Sequence, residues 1–88
     1  MLFVQRTSKN VNQVLMKYDK KTSDEQTSWQ IIYDTHKILS RLETPNVQKF
    51  HKMNQICRKT LSQYEQAPNQ TLLRSTITEL KYLITKKG

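Results

Sequence analysis

The sequence predicts an all-α protein, an antiparallel four-helix bundle forming one domain over residues 1–88. Three observations lead there. Only one glycine occurs, Gly88, so the positive φ angles that tight β-turns need have almost no residue to supply them. The two prolines, Pro45 and Pro68, punctuate long segments that lack other breakers. Within those segments apolar residues recur at three- and four-residue spacing, the period of a helix with one buried face.

The first segment is expected over roughly Thr7 to Tyr18, with Val11, Val14, Leu15 and Tyr18 on one face, Val4 extending it upstream and Ser8 as a cap. A polar connector, Asp19 to Thr22, follows. Ser23-Asp24-Glu25-Gln26 then reads as a capping box, with the Ser23 hydroxyl accepting from the Gln26 amide. Asp24 and Glu25 suit the positive end of the helix dipole. Trp29, Ile32, His36, Leu39 and Glu43 form the stripe of this second helix, widened by Ile31, Ile38 and Leu42.

Thr44 fits an N-cap and Pro45 the first position of a third helix. Its stripe is Val47, Phe50, Asn54, Cys57, Leu61 and Tyr64, widened by Met53 and Ile56, with Gln48, Lys52, Gln55, Lys59 and Ser62 towards water. Ala67-Pro68-Asn69 breaks the pattern, and a fourth helix is expected from Gln70 to Thr85. Leu73, Ile77, Leu80 and Ile84 form its face, beside Leu72, Thr76 and Leu83, and Lys86 and Lys87 lie at its negative end. Short connections make neighbouring helices antiparallel.

Composition narrows the function. Fifteen Lys and Arg against seven Asp and Glu give a formal net charge of +8, which attracts anionic surfaces and nucleic acid. Cys57 is the single cysteine, so neither an internal disulfide nor a thiolate zinc site is expected. The opening MLFVQRTSK is too short an apolar run for a signal peptide, and no stretch approaches a spanning helix. The chain reads as soluble and cytoplasmic, with partial membrane association open to a basic protein.

Catalytic motifs are missing: no glycine-rich phosphate loop, HExxH, CxxC or paired Glu-x-x-His. No enzyme activity, metal or cofactor is expected. His36 reads as a boundary histidine with one hydrogen bond, His51 as a surface residue, Cys57 as a small core residue and Trp29 as a core or core-edge packer. Lys49, Lys52 and Lys59 are the best basic cluster on one helix. Tyr82 points well away from Leu80 and Ile84, an exposed aromatic between Lys81 and Lys86.

From Ile38 to Lys87 the chain resembles the second half of the class IIa bacteriocin immunity proteins, the enterocin A immunity family. The residues that carry the likeness are Leu42-Glu43-Thr44-Pro45, the helix Val47 to Glu65, the corner Ala67-Pro68-Asn69, and Leu72, Leu73, Ile77 and Glu79-Leu80-Lys81-Tyr82-Leu83. The resemblance implies a cytosolic self-protection protein of a Gram-positive bacteriocin producer, an antimicrobial-resistance function without catalysis. Its partner would be the assembly of a bacteriocin with its receptor, a sugar phosphotransferase permease, with peripheral contact to the anionic inner membrane. The corner after Tyr64 and the outward face of the last helix form the expected recognition surface: Tyr64, Asn69, Arg74, Lys81, Tyr82 and Lys86.

Two other classes fit the same sequence. A small basic helical nucleic-acid-binding protein would use the charge, although Ala67-Pro68-Asn69 is a poor helix-turn-helix corner. A protein–protein adaptor, or a homodimer covering exposed parts of the apolar stripes, would need no toxin.

Overall fold

The computed structural model describes residues 2–41 and 48–86, with side chains from Arg6 onward. These form four α-helices: α1 Leu2–Leu15, α2 Glu25–Ser40, α3 Gln48–Gln66 and α4 Gln70–Thr85. No strand occurs among the described residues. The expected features at Leu42, Glu43, Thr44, Pro45, Val47 and Lys87 lie outside them, as does the side chain of Val4.

Local chemistry sets the helix ends, and in two places it overrules the sequence expectation. Asp24, not Ser23, caps α2: its carboxylate accepts from the Thr27 amide at 2.7 Å. That bond holds the Asp24 carboxyl below the usual range. The Ser23 hydroxyl is engaged one step upstream, where it accepts from the Asp19 amide at 2.8 Å, while the Asp19 carboxylate accepts from the Lys21 amide. The connector thus closes on itself and uses up the hydroxyl that the capping box needed.

The first helix also departs from its expected bounds. It begins at Leu2, so Ser8 lies inside it and caps nothing, and it ends at Leu15 rather than Tyr18. The Lys17 and Tyr18 amides reach back only three residues, to the carbonyls of Val14 and Leu15, tightening the last turn and ending the helix. Helix α4 spans the residues expected of it. Asn69 caps it, its side-chain oxygen accepting from the Thr71 amide at 2.9 Å, directly after Pro68 ends the previous pattern.

Helices α2 and α4 each pack against all three others, whereas α1 and α3 stay apart among the described residues. The Cα radius of gyration is 12.5 Å, close to the ~12 Å of a compact chain this long. Val11 and Leu15 of α1, Ile31, Ile32 and Leu39 of α2, Phe50, Met53 and Cys57 of α3, and Leu73, Ile77 and Leu80 of α4 are buried in one cluster.

Five small polar residues are buried as well: Thr7, Ser28, Thr35, Thr60 and Thr76. A buried hydroxyl is costly only when it lacks a partner. Ser28 and Thr35 donate to carbonyls one turn earlier on their own helix, those of Asp24 and Ile31. Thr60 and Thr76 bond each other across α3 and α4 at 2.8 Å. Because these residues are buried, the centre of the α2 stripe shifts from the expected Trp29–His36 line to Ser28, Ile31, Ile32, Thr35 and Leu39. Trp29 and His36 lie half-buried at its edge.

Candidate functional site

That shift places three aromatic or imidazole side chains along the seam between α2 and α3. Trp29 and Tyr33, one turn apart, stack with ring centroids 5.0 Å apart and planes 9° from parallel. The Lys37 ammonium lies 5.6 Å from the Tyr33 ring centre, which continues the ladder by another turn. On the facing helix stand Arg58, Leu61, Ser62, Tyr64 and Glu65. Together with Trp29, Tyr33 and His36 they line an open groove of about 720 Å³.

Polar bonds fasten the groove at both ends. At one end the Tyr64 hydroxyl donates to the Glu25 carboxylate at 2.5 Å. This bond raises the Tyr64 phenol pKa above its ordinary value, since ionisation would forfeit the donor and set two anions together. Towards the other end His36 Nδ1 lies 2.7 Å from Asn54 Oδ1. A carboxamide oxygen only accepts, so in this pairing Nδ1 carries the proton. Ser40 Oγ approaches the same oxygen at 3.4 Å.

The structure does not bring the six expected surface residues into one patch. Tyr64 lines the α2–α3 groove. Asn69 is exposed, but its side chain is engaged in capping α4. Arg74 is exposed near the start of α4. Lys81 is half-buried; its ammonium lies 5.2 Å from the centre of the Tyr18 ring and 3.5 Å from the Tyr18 carbonyl oxygen. Tyr82 is 64% exposed. Lys86 borders a smaller pocket of about 250 Å³ with Gln48, Lys49, Lys52 and Leu83.

Tyr33 and Arg58, which complete the groove, are not among the residues expected at a site. Tyr33 is 36% exposed and sits four residues after Trp29, so the i, i+4 aromatic spacing was the available signal. Arg58 carries no such signal, because its neighbours are set by α2.

Cys57 and His51 take the positions expected of them, one in the core and one at the surface. Cys57 is buried on α3, and burial pushes its thiol pKa up to about 12, so it stays a protonated core residue at neutral pH. His51 is exposed, with the Gln55 side-chain nitrogen 3.2 Å from its Nε2. Among the described residues no group of three or more His, Cys, Asp or Glu gathers as a metal site would require. Nor is any helix long and apolar enough to cross a membrane.

Comparison with family models, with curated proteins and with solved structures finds no match for this chain.

Proposed function

We propose that the chain is an antiparallel four-helix bundle that works as a non-catalytic, cytoplasmic bacteriocin immunity protein. In this reading it protects a producer cell by engaging the receptor–toxin assembly from the inner side of the membrane. The antiparallel arrangement is supported by the pairing of α2 with α3, where Glu25 meets Tyr64 and His36 meets Asn54, early residues of one helix against late residues of the other. The lysine pocket, which joins the start of α3 to the end of α4, supports the next antiparallel step.

One observation carries the recognition role: the α2–α3 groove, with its stacked Trp29–Tyr33 pair beside Arg58, Leu61 and Tyr64. Aromatic residues and arginine dominate the energetics of protein interfaces, because they bury much area at low ordering cost. The groove offers them on an open surface, which suits capture of a protein surface. Tyr64 is the one member of the expected recognition set that it retains.

The test is protection. The chain is expressed in a sensitive Gram-positive strain and challenged with a panel of class IIa bacteriocins. A selective rise in tolerated dose to one or a few is expected. Replacing Trp29 and Tyr33 by Ala should then reduce the protected dose by about tenfold or more, while Arg74→Glu, away from the groove, should leave most of it. Absence of protection across the panel, with the folded protein present in the cells, removes the immunity reading. Protection lost with Arg74→Glu but retained without the aromatic pair moves recognition to α4.

A further inference from the structure

The charges of the bundle are not spread evenly. The His36–Asn54 and Ser40–Asn54 contacts tie the end of α2 to the early turns of α3. The small pocket ties those turns to the end of α4. Three helix ends therefore meet, and apart from Asp34, which lines a pocket with Lys37 and Arg41, and Glu79, the described residues that supply them, 34–41, 48–55 and 79–86, contain no Asp or Glu. They do contain Lys37, Arg41, Lys49, Lys52, Lys81 and Lys86. Acids also stand at the start of α2 and the end of α3, as Asp24, Glu25 and Glu65.

Within the basic end, Lys49, Lys52 and Lys86 surround a 250 Å³ pocket to which Leu83 contributes an apolar wall, and no carboxylate lines it. Tyr82 stands four residues before Lys86 on the same exposed side of α4. Ammonium groups around an apolar wall, with an exposed phenol alongside, match the chemistry of a membrane–water boundary. There lysine stems lie on apolar surface while their heads reach phosphate, and tyrosine rings settle at headgroup depth.

We infer that this corner, Lys49, Lys52, Lys86 and Tyr82 around Leu83, is a docking surface for an anionic phospholipid bilayer and orients the bundle with the ends of α2 and α4 towards the membrane. A nucleic-acid duplex would use the lysines, but its bases are already stacked inside and leave nothing for the exposed Tyr82 ring, and this favours the bilayer over the duplex. The inference gives the membrane contact of the proposed immunity role a defined place, and to that extent rests on it. In this orientation the α2–α3 groove runs away from the bilayer along the side of the bundle, open to a partner in the same membrane.

The experiment needs no toxin, so its outcome is separate from that of the protection assay. The whole chain is mixed with vesicles of phosphatidylcholine alone, or of phosphatidylcholine with phosphatidylglycerol, and bound protein is measured by sedimentation at low and physiological salt. Binding to the anionic vesicles only, weakening with salt, is expected. The triple variant Lys49→Gln, Lys52→Gln, Lys86→Gln should lose about fivefold in partitioning per lysine. A charge-matched control, Lys9→Gln, Lys17→Gln, Lys20→Gln, should lose far less. Tyr82→Ala should lower the binding that survives physiological salt. These positions are exposed or border the pocket, and circular dichroism establishes that each variant is folded.

Equal losses in the two triple variants would reduce the effect to net charge and overturn the docking surface. So would failure of the parent chain to bind anionic vesicles. Tight binding of duplex DNA through the same three lysines, without vesicle binding, would replace it by the nucleic-acid reading.

Discussion

The seams on either side of α3 use polar residues in opposite ways. Between α3 and α4 the polar contact is internal: Thr60 and Thr76 face each other in the dry interior, satisfied only by one another. Between α2 and α3 the polar contacts lie at the margin, where His36 meets Asn54 and Tyr64 meets Glu25, and a groove opens between them. A seam closed around a buried bond is committed to structure. A seam pinned at its ends, with aromatic rings along its length, keeps its surface open.

Four helices sharing one core predict that the largest loss comes from the interior. Met53, fully buried on α3, should cost about 2–5 kcal/mol of stability when replaced by Ala. Trp29→Ala removes a larger side chain, yet should cost less than Met53→Ala, because Trp29 is only half-buried at the open seam. Urea denaturation of both variants checks the order. Equal losses would mean that the open seam carries as much of the fold as the closed interior.

The middle-sized effect belongs to the threonine pair. Thr60→Val alone strands the Thr76 hydroxyl and should cost about 1–2 kcal/mol. Adding Thr76→Val should recover much of that loss, since two shape-matched apolar groups leave no orphan. A double-mutant cycle by denaturant unfolding measures the coupling, and additive single losses would show that the two hydroxyls act independently.

The smallest effect is at the open seam. The Tyr64 phenol should titrate above its ordinary value, and Glu25→Gln should bring it down, as read by the phenolate absorbance. The sign follows from linkage: a raised folded pKa supports the fold below the unfolded tyrosine value, and that support fades as pH rises through the folded one. Tyr64 and Glu25 lie at the surface, so the consequence is a local loosening of the groove end rather than unfolding.

Much of the architecture was legible where a local signal fixed it. Pro68 and Asn69 carry their conformational preferences with them, and α4 follows residue for residue. The α2 cap slipped by one residue because Ser23 had a competing use in the connector, a choice that pattern matching within the box cannot see. Ser28, Thr35 and Thr60 escape the expected core for a related reason, whereas Thr76 lies beside the α4 face as expected. A hydroxyl reads as surface until its acceptor is known, and the acceptor is either a backbone carbonyl one turn away or a side chain on another helix.

The groove was less legible still. Trp29 was visible as an edge residue, and Tyr64 as a contact residue, but their common groove depends on how α2 turns against α3. The stripe that sets this turn includes two polar residues, Ser28 and Thr35, that no apolar pattern marks. Tyr82 was placed correctly as exposed from helical geometry alone, since α4 is regular through its whole length.

Helix α2 is held from three sides, since α1, α3 and α4 all pack against it. Trp29 and Tyr33 are therefore mounted on a helix packed on three sides, with their rings already parallel and Lys37 alongside. Ordering side chains on association usually costs about 0.5–1.5 kcal/mol for each one immobilised. Here most of that ordering takes place during folding. A partner that fitted the groove would meet rings already stacked, and one that needed them to move would work against the packing of α2 on three helices. The selectivity of the groove would then come from its rigidity as much as from its chemistry.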